Sequence, residues 1–385
     1  MSAPVPLLSL VIPTRNRPEC MTSLLAGIAA SEAPELDVVV QDNSDDDSLG
    51  RFVRELGDAR IRYFHRAERL SMHQNFDAAI AMATGEFVCV IGDDDGIVVA
   101  ESLAVLRRAK ALGASAVLTD VVSFRWPGVV HRFWGEIGGP AYIVRRGLGE
   151  QLIDPEQALD DVYANGAVDG LGMLPRVYHG YVSRAALTAL FDRCGTYFPG
   201  GSPDIANAVA LAAFVDKMLF DPGIALISGH SPRSGGGEGA AGVHHGELEQ
   251  AAHLPAETIR DWDPAIPRFW CGTTIYAQSV ISAARAVGLQ PDRPFNYMKV
   301  CVACLIYQPA RYRDFVQAAL RSLGKGRGAV WPVLARDYLA MLAGRGRTFI
   351  RNVGQIKLGL GAFDRFANVG EMMTRLADDP TPLKS

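Results

Sequence analysis

Cysteine is scarce in this chain: six in 385 residues, without the dense spacing of a disulfide scaffold. A reduced, cytoplasmic protein is therefore expected. No run of about 18 uninterrupted apolar residues occurs, which argues against a membrane-spanning helix. Met1–Pro6 has no basic stretch leading into an apolar core, so no secretory leader is expected. No G-x-G-x-x-G follows the first apolar run, which argues against a dehydrogenase. The glycine-rich phosphate loop of nucleotidyltransferases is missing from the same place, where Pro13-Thr14-Arg15-Asn16 stands instead. Nor is there an excess of positive charge. Thirty-eight Lys and Arg against 42 Asp and Glu leave a net charge of −4, so no nucleic-acid partner is expected.

What is present describes a folded α/β protein. Apolar residues make up 49% and charged residues 21%. Leu7–Ile12, Leu36–Val40, Ile61–Phe64 and Phe87–Ile91 read as buried strands by length and flanking residues. Helical patterns lie between them, at about 18–30, 49–56 and 73–83, the last stopped by Thr84-Gly85. This alternation predicts a doubly wound, mostly parallel sheet of Rossmann-like design. Further on, Val117–Phe124 reads as a strand and Ser183–Arg193 as a helix. A second helix is expected from Ser202-Pro203-Asp204 to about Leu219, then a short strand Ile224–Ile227. Gly235–Gly242 holds five glycines and reads as a mobile linker, and the pattern beyond about Glu247 is helical. Cys301 and Cys304 lie in a continuous apolar stretch with no second pair, and read as two buried helix residues rather than metal ligands.

In doubly wound sheets, ligands bind beyond the carboxyl ends of the strands. Thr14-Arg15-Asn16-Arg17, Asp42-Asn43-Ser44 and Asp93-Asp94-Asp95 all fall at such ends. Three adjacent carboxylates after a buried strand repel one another unless a cation neutralises them, and oxygen-rich clusters of this kind suit Mg²⁺ or Mn²⁺. A solvated acidic turn is the plain alternative, disfavoured by the apolar runs on both sides.

Together these segments carry a resemblance. Val11–Pro18 (Val-Ile-Pro-Thr-Arg-Asn-Arg-Pro) resembles the opening motif of family 2 glycosyltransferases of the GT-A fold. Val39–Ser44 resembles their second-strand motif, and Ala83–Phe87 followed by the aspartates resembles the approach to their metal-binding Asp-x-Asp. The resemblance covers about residues 7–97. It implies a GT-A domain over 1–240, with a donor half to about 120 and an acceptor half beyond it, followed by a helical region over 241–385. It implies a metal-dependent enzyme, using Mn²⁺ or Mg²⁺, that moves a sugar from a nucleoside-diphosphate sugar to a saccharide or lipid-linked acceptor of the cell envelope. Pro13, Thr14 and Asn16 would lie against the nucleoside, Arg15 or Arg17 near the phosphates, and Asp42 on the base beside Ser44. Asn75 and Asp77 would face the donor. Asp94 is the favoured metal ligand, with Asp93 nearer the ribose and Asp95 supporting, although the three are interchangeable at this level.

Inverting members place a catalytic base at the start of a later helix. Asp204 lies 110 residues past Asp94 (204 − 94) and opens an expected helix, where a first-turn aspartate is also favoured by the helix dipole. Asp169, in the glycine-rich stretch Gly166–Gly172, is the reserve. His230 is expected at the metal site, with Arg233 and Ser234 on phosphate oxygens. His179 either lines the acceptor pocket or makes a structural hydrogen bond. Arg321–Arg365 holds nine basic and two acidic residues among apolar ones, which suits peripheral contact with the inner face of an anionic membrane or, more plainly, a packed helical subdomain. A homodimer through the helical tail is a further expectation. The alternatives to sugar transfer are a non-catalytic sugar- or lipid-binding protein on a decayed transferase fold and a sugar-phosphate nucleotidyltransferase.

Overall fold

The computed structural model describes residues 4–131, 135–234, 245–251, 254–289, 293–325, 328–340, 342–343 and 364–378. The expected linker Gly235–Gly242 and most of the basic tail beyond Leu342 lie outside them.

The chain alternates β1 (Leu8–Thr14), α1 (Pro18–Ala29), β2 (Leu36–Asp42), α2 (Ser48–Leu56), β3 (Ile61–His65), α3 (Met72–Ala81) and β4 (Phe87–Val90). It continues with β5 (Gly96–Ile97), α4 (Val99–Ala111) and β6 (Ala116–Arg125), then three short strands, β7 (Val130–His131), β8 (Gly135–Glu136) and β9 (Ala141–Val144). β10 (Gln151–Ile153), α5 (Pro155–Asn165), β11 (Tyr181–Ser183), α6 (Arg184–Cys194), α7 (Pro203–Leu211) and β12 (Met218–His230) follow. The main sheet has ten strands in the order β10-β12-β6-β11-β4-β1-β2-β3, with β5 and β9 attached at β12 and β6. β3, β2, β1 and β4 are mutually parallel, as are β6 and β12. β11 runs antiparallel to both β4 and β6 and joins the two parallel halves.

Continuous apolar strands arise because both faces of this sheet are covered. Along β1, Leu8, Leu10 and Ile12 enter one core while Val11 enters the other. β2 repeats this with Val38 and Val40 against Val39. The first core is closed by α1, α2 and α4, and the second by α3, α5, α6 and α7. The carboxy-terminal region shares both. The helix Gly272–Val287 adds Val280, Ala283 and Ala284 to the second core, and Val369–Asp378 adds Val369, Met372 and Met373 to the first. Among the described residues, no helix is long and apolar enough to cross a membrane.

Three local features explain where sequence patterns held or failed. The Thr84-Gly85 stop is a crossing point: a Cβ on Gly85 would lie 2.5 Å from the Ser9 amide nitrogen. The helix begun at Pro203 ends at Leu211 rather than near Leu219, because Met218–Phe220 is already paired with Ala116–Leu118. The short strand expected at Ile224–Ile227 is the second half of the 13-residue β12. Asp221-Pro222-Gly223 interrupts its apolar pattern, and a register shift there absorbs the break.

β12 passes directly beneath the aspartate triplet. A Cβ on Gly229 would meet the Asp94 carbonyl oxygen at 1.7 Å. Gly229→Ala is therefore expected to destabilise the fold by about 2–3 kcal/mol through overpacking. Urea denaturation checks this, and an unchanged midpoint contradicts the crossing.

Candidate active site at the carboxyl edge of the sheet

Four strand ends meet at one edge. β1 delivers Thr14, β4 runs into Gly92-Asp93-Asp94-Asp95, β6 ends beside Trp126, and β12 delivers Gly229, His230 and Ser231. Asp93 and Asp94 are 4% exposed and Asp95 1%. Charges so buried need close partners.

Each carboxylate is met differently. Asp95 is saturated by protein: Oδ2 accepts from the Gly92 amide (2.6 Å), the Tyr178 hydroxyl (3.0 Å) and His179 Nε2 (2.7 Å), and Oδ1 from the Gly229 amide (2.7 Å). Four protein donors hold it, three on Oδ2 and one on Oδ1, a holding role that differs from its expected place among the metal ligands. Asp93 accepts from the Thr14 hydroxyl at 2.7 Å through one oxygen and from Arg17 through the other. Asp94 Oδ2 accepts from the Ser231 amide at 2.9 Å and faces Arg17 Nη2 at 3.4 Å, while Oδ1 has no hydrogen bond among the described residues. The backbone of Asp94 is fixed as well, since Trp126 Nε1 donates to its carbonyl at 2.8 Å.

The charges follow from these contacts. Burial pushes the Asp93 carboxyl up to about 7, against the pull of Arg17. Burial works against the Arg17 charge too, but Asp93 and Asp94 outweigh it and raise its pKa. Burial pulls the His230 imidazole below its ordinary value despite the charges of Asp95 and Asp94, so the ring is neutral at pH 7. A neutral imidazole is the form that ligates metals.

Arg17 thus turns inward, whereas Arg15 turns outward to Asp45 at 3.1 Å. Asn16 adopts a left-handed φ of 55° and exchanges side-chain hydrogen bonds with Asp45. Its amide donates to Ser44 Oγ at 2.7 Å. Pro13 is buried in the last turn of β1. Asp42 is fully buried, with Oδ2 held by the Tyr63 hydroxyl (2.8 Å) and Oδ1 by the Ser44 amide (2.8 Å). Beside it is a 190 Å³ cavity lined by Thr14, Asn16, Pro18, Ser44, Asp46, Ser48 and Leu49. That volume suits one ring of a ligand rather than a whole nucleotide sugar. Asn75 Nδ2 reaches the Thr14 carbonyl at 3.4 Å, and its Oδ1 is buried without a partner. Arg233 folds back onto the Asn16 carbonyl (3.1 Å) and pairs with Glu19, and Ser234 Oγ donates to the Ser231 carbonyl at 2.9 Å.

Two other expectations need correction. Asp77 does not face the edge: it accepts from the Thr196 hydroxyl (2.8 Å) and the Tyr197 amide (2.9 Å), and so anchors the loop before α7. Asp169 is an exposed carboxylate ion-paired with Lys299 at 2.9 Å, an outward orientation that does not suit a base.

Asp204 lies on α7, a helix tied to the segment that carries Tyr178. The segment Val177–His179 runs beside the end of β4, where Val90 N donates to the Val177 carbonyl at 2.8 Å. Buried Asn207 of α7 accepts from the Val177 amide at 3.0 Å, fixing α7 against that segment. Asp204 lies one turn earlier on α7. Its Oδ1 accepts from the Ser202 hydroxyl (2.5 Å) and the Ile205 amide (2.9 Å), and Oδ2 has no partner among the described residues. Burial and the charges of Asp95, Asp94 and Asp204 together push the Tyr178 hydroxyl far above its ordinary pKa, so all three carboxylates act on one phenol. Tyr178, Ser231, Trp126 and Asn207 were missed in the sequence. Only Ser231 left a signal there, as a polar neighbour of His230.

Among the described residues, no three His, Cys, Asp or Glu side chains form a closed metal cage. Hard cations bound with phosphates need fewer protein ligands, commonly one or two carboxylates. The unbonded Asp94 oxygen, Asp93 and the neutral His230 fit that arrangement.

A mixed sheet in this strand order, with carboxylates and an inward arginine at its carboxyl edge, is a GT-A fold. Residues 9–134 match the model of glycosyl transferase family 2, and the chain carries a domain of that family. It is 28% identical over 158 residues to the abequosyltransferase RfbV of Salmonella typhimurium, covering 38% of this chain and 46% of the relative. It is 27% identical over 108 residues to the GalNAc(5)-diNAcBac-PP-undecaprenol β-1,3-glucosyltransferase of Campylobacter jejuni, covering 27% and 35%. The chain thus spans less than half the length of these curated relatives. A solved mannosyltransferase from Pyrobaculum calidifontis, in complex with GDP-Man and Mn²⁺, aligns over 90% of this chain and 84% of its own at 17% identity, with a TM-score of 0.43.

The His179–Asp95 pair makes stability depend on pH. Burial opposes both charges, but each partner stabilises the other, so His179 is raised above 6.5 and Asp95 lowered below 3.8. The His179 contribution is complete below pH 6.5 and is lost as pH rises through its raised value. The Asp95 contribution is present above 3.8 and is lost as pH falls through its lowered value. In chelator, wild-type unfolding free energy should decline above pH 6.5 more steeply than that of His179→Gln. Parallel profiles from pH 6 to 9 contradict the pairing.

Proposed function

We propose that this protein transfers a sugar from a nucleoside-diphosphate sugar to a hydroxyl of a saccharide acceptor, with a divalent cation at Asp94 and Asp204 as general base. The observation that supports it is that two carboxylates, each with an oxygen that has no hydrogen bond among the described residues, Asp94 Oδ1 and Asp204 Oδ2, both act on the Tyr178 hydroxyl. The family 2 domain over residues 9–134 supports the same reading.

Asp94, Asp93 and His230 would hold the cation, which when bound supplies charge neutralisation at the donor diphosphate. Residues at the ends of β1 and β2 take the nucleoside: Thr14, Asn16 and Ser44 line the small cavity, and Asp42 is fixed behind it by Tyr63. Asn75 offers its unpartnered oxygen beside Thr14. Arg17 and Ser231 supply donors for phosphate oxygens once they release the carboxylates they now bind. Asp204 keeps one oxygen on Ser202 and turns the other toward the acceptor, where it takes the hydroxyl proton as the oxygen attacks the anomeric carbon and the nucleoside diphosphate leaves with the electron pair of the broken anomeric C–O bond. A single base of this kind gives inversion. The abequosyl and glucosyl transfers named for the relatives support a cell-envelope saccharide as acceptor.

Nucleotides and nucleotide sugars, screened by thermal shift with and without Mn²⁺, test the reading. A ligand at 100 times its Kd adds about 2.7 kcal/mol of stability. One nucleoside diphosphate should shift the melting temperature only with metal, and Asp94→Ala should abolish that shift. If none does so under any metal condition, the donor assignment fails. Asp204→Asn should retain the shift and lose turnover by about 10²-fold or more. Turnover within a few-fold of wild type would remove Asp204 from the base role.

A further inference from the structure

Two arginines outside the carboxylate cluster share one neutral acceptor. Arg176 Nη2 donates to the Gly172 carbonyl at 2.7 Å, and Arg146 Nη1 donates to the same oxygen at 3.2 Å. Two like charges therefore converge on one neutral acceptor. Among the described residues neither guanidinium forms an ion pair. The nearby Asp120 accepts from the Arg146 amide at 2.8 Å and faces Arg145 at 3.9 Å, and Asp169 is taken by Lys299. The Arg176 Nε–H is shut off from solvent and has no acceptor.

Leaving an arginine in this state is costly. Burial and the Arg146 charge bring Arg176 down to about 9, and only the charge of Asp204 favours its protonation. Arg176 directly precedes Val177-Tyr178-His179, the segment that α7 holds against the site through Asn207. Asp204 is thus the acidic group that acts on Arg176, the triplet is not among the charges acting on it, and the sugar-transfer reading puts the acceptor beside Asp204. Paired planar guanidiniums with unfilled donors match a tetrahedral oxyanion, with several N–H groups directed at phosphate oxygens.

We propose that Arg146 and Arg176 form an anion subsite that holds a phosphoryl group of the acceptor. It rests on the sugar-transfer reading only in assigning the anion to the acceptor. The group binds beside Asp204, so the subsite selects a glycosyl phosphate or diphosphate-linked saccharide over a neutral one, and it orients the attacking hydroxyl without touching the donor.

The test uses inorganic pyrophosphate in chelator, where the donor edge lacks its cation, followed by calorimetry on wild type, Arg176→Gln and Arg146→Gln. Wild type should bind pyrophosphate, and each variant should bind it at least tenfold more weakly. Arg146 is exposed, so its variant serves if Arg176→Gln does not fold. Equal pyrophosphate affinity in wild type and Arg146→Gln, or none in wild type, overturns the subsite. Nucleoside diphosphate with Mn²⁺ is titrated in parallel and should bind Arg146→Gln as it binds wild type. A matching tenfold loss there reassigns the anion to the donor and overturns the acceptor assignment. Absence of nucleotide binding in every variant, with pyrophosphate binding intact, fails the sugar-transfer reading alone.

Discussion

Three consecutive carboxylates at the end of a buried strand are the constraint around which the rest of this molecule is arranged. Their mutual repulsion at about 4% exposure or less would unfold the edge if nothing answered it. The answer comes from chain segments far apart in sequence. Arg17 comes from the start of α1, Tyr178 and His179 from the approach to β11, and Gly229 and Ser231 from the end of β12. Each contact fixes one of the elements that define the GT-A fold. Fold and site are in this sense one set of interactions, and Gly229 is small because β12 must pass under Asp94 to deliver two of those amides.

The triplet also divides its labour. A carboxylate met by four protein donors, such as Asp95, holds geometry. One with a bare oxygen, such as Asp94 Oδ1, can take a ligand. Asp93 lies between: Thr14 holds one of its oxygens and the Arg17 guanidinium the other. An edge built in this way is answered by the protein's own groups, yet keeps one carboxylate oxygen without a hydrogen bond among the described residues.

The polar cluster at the carboxyl edge was legible in sequence because its pieces are local. Strand ends, Thr14–Arg17, Asp42–Ser44 and the triplet all lie within a residue or two of a recognisable apolar run. Asp204 was legible for a similar reason, opening a helix with Ser202-Pro203. What escaped was whatever depended on a partner brought from elsewhere. Asp77 has the spacing of a donor-facing residue, but Thr196 and Tyr197 claim both its oxygens. Asp95 is indistinguishable from Asp94 until Tyr178 and His179 arrive. β12 was half hidden because a Pro-Gly bulge breaks its pattern without breaking its pairing.

The arrangement of α7 shows why the acceptor half is hard to read. Nothing in Asn207 announces a role, since an asparagine inside an apolar helix is more often an oddity than a signal. Yet its fully buried amide bridges the Val177 amide and the Tyr197 carbonyl, tying the helix that carries Asp204 both to the segment carrying Tyr178 and to the loop that Asp77 anchors. The spacing between the candidate base and the candidate cation site is thus set by one satisfied amide and one satisfied carboxylate. Buried polar groups of this kind specify geometry at small net gain in stability. Position along the chain, with no regard to such bridges, therefore says where a base can be but not what holds it there.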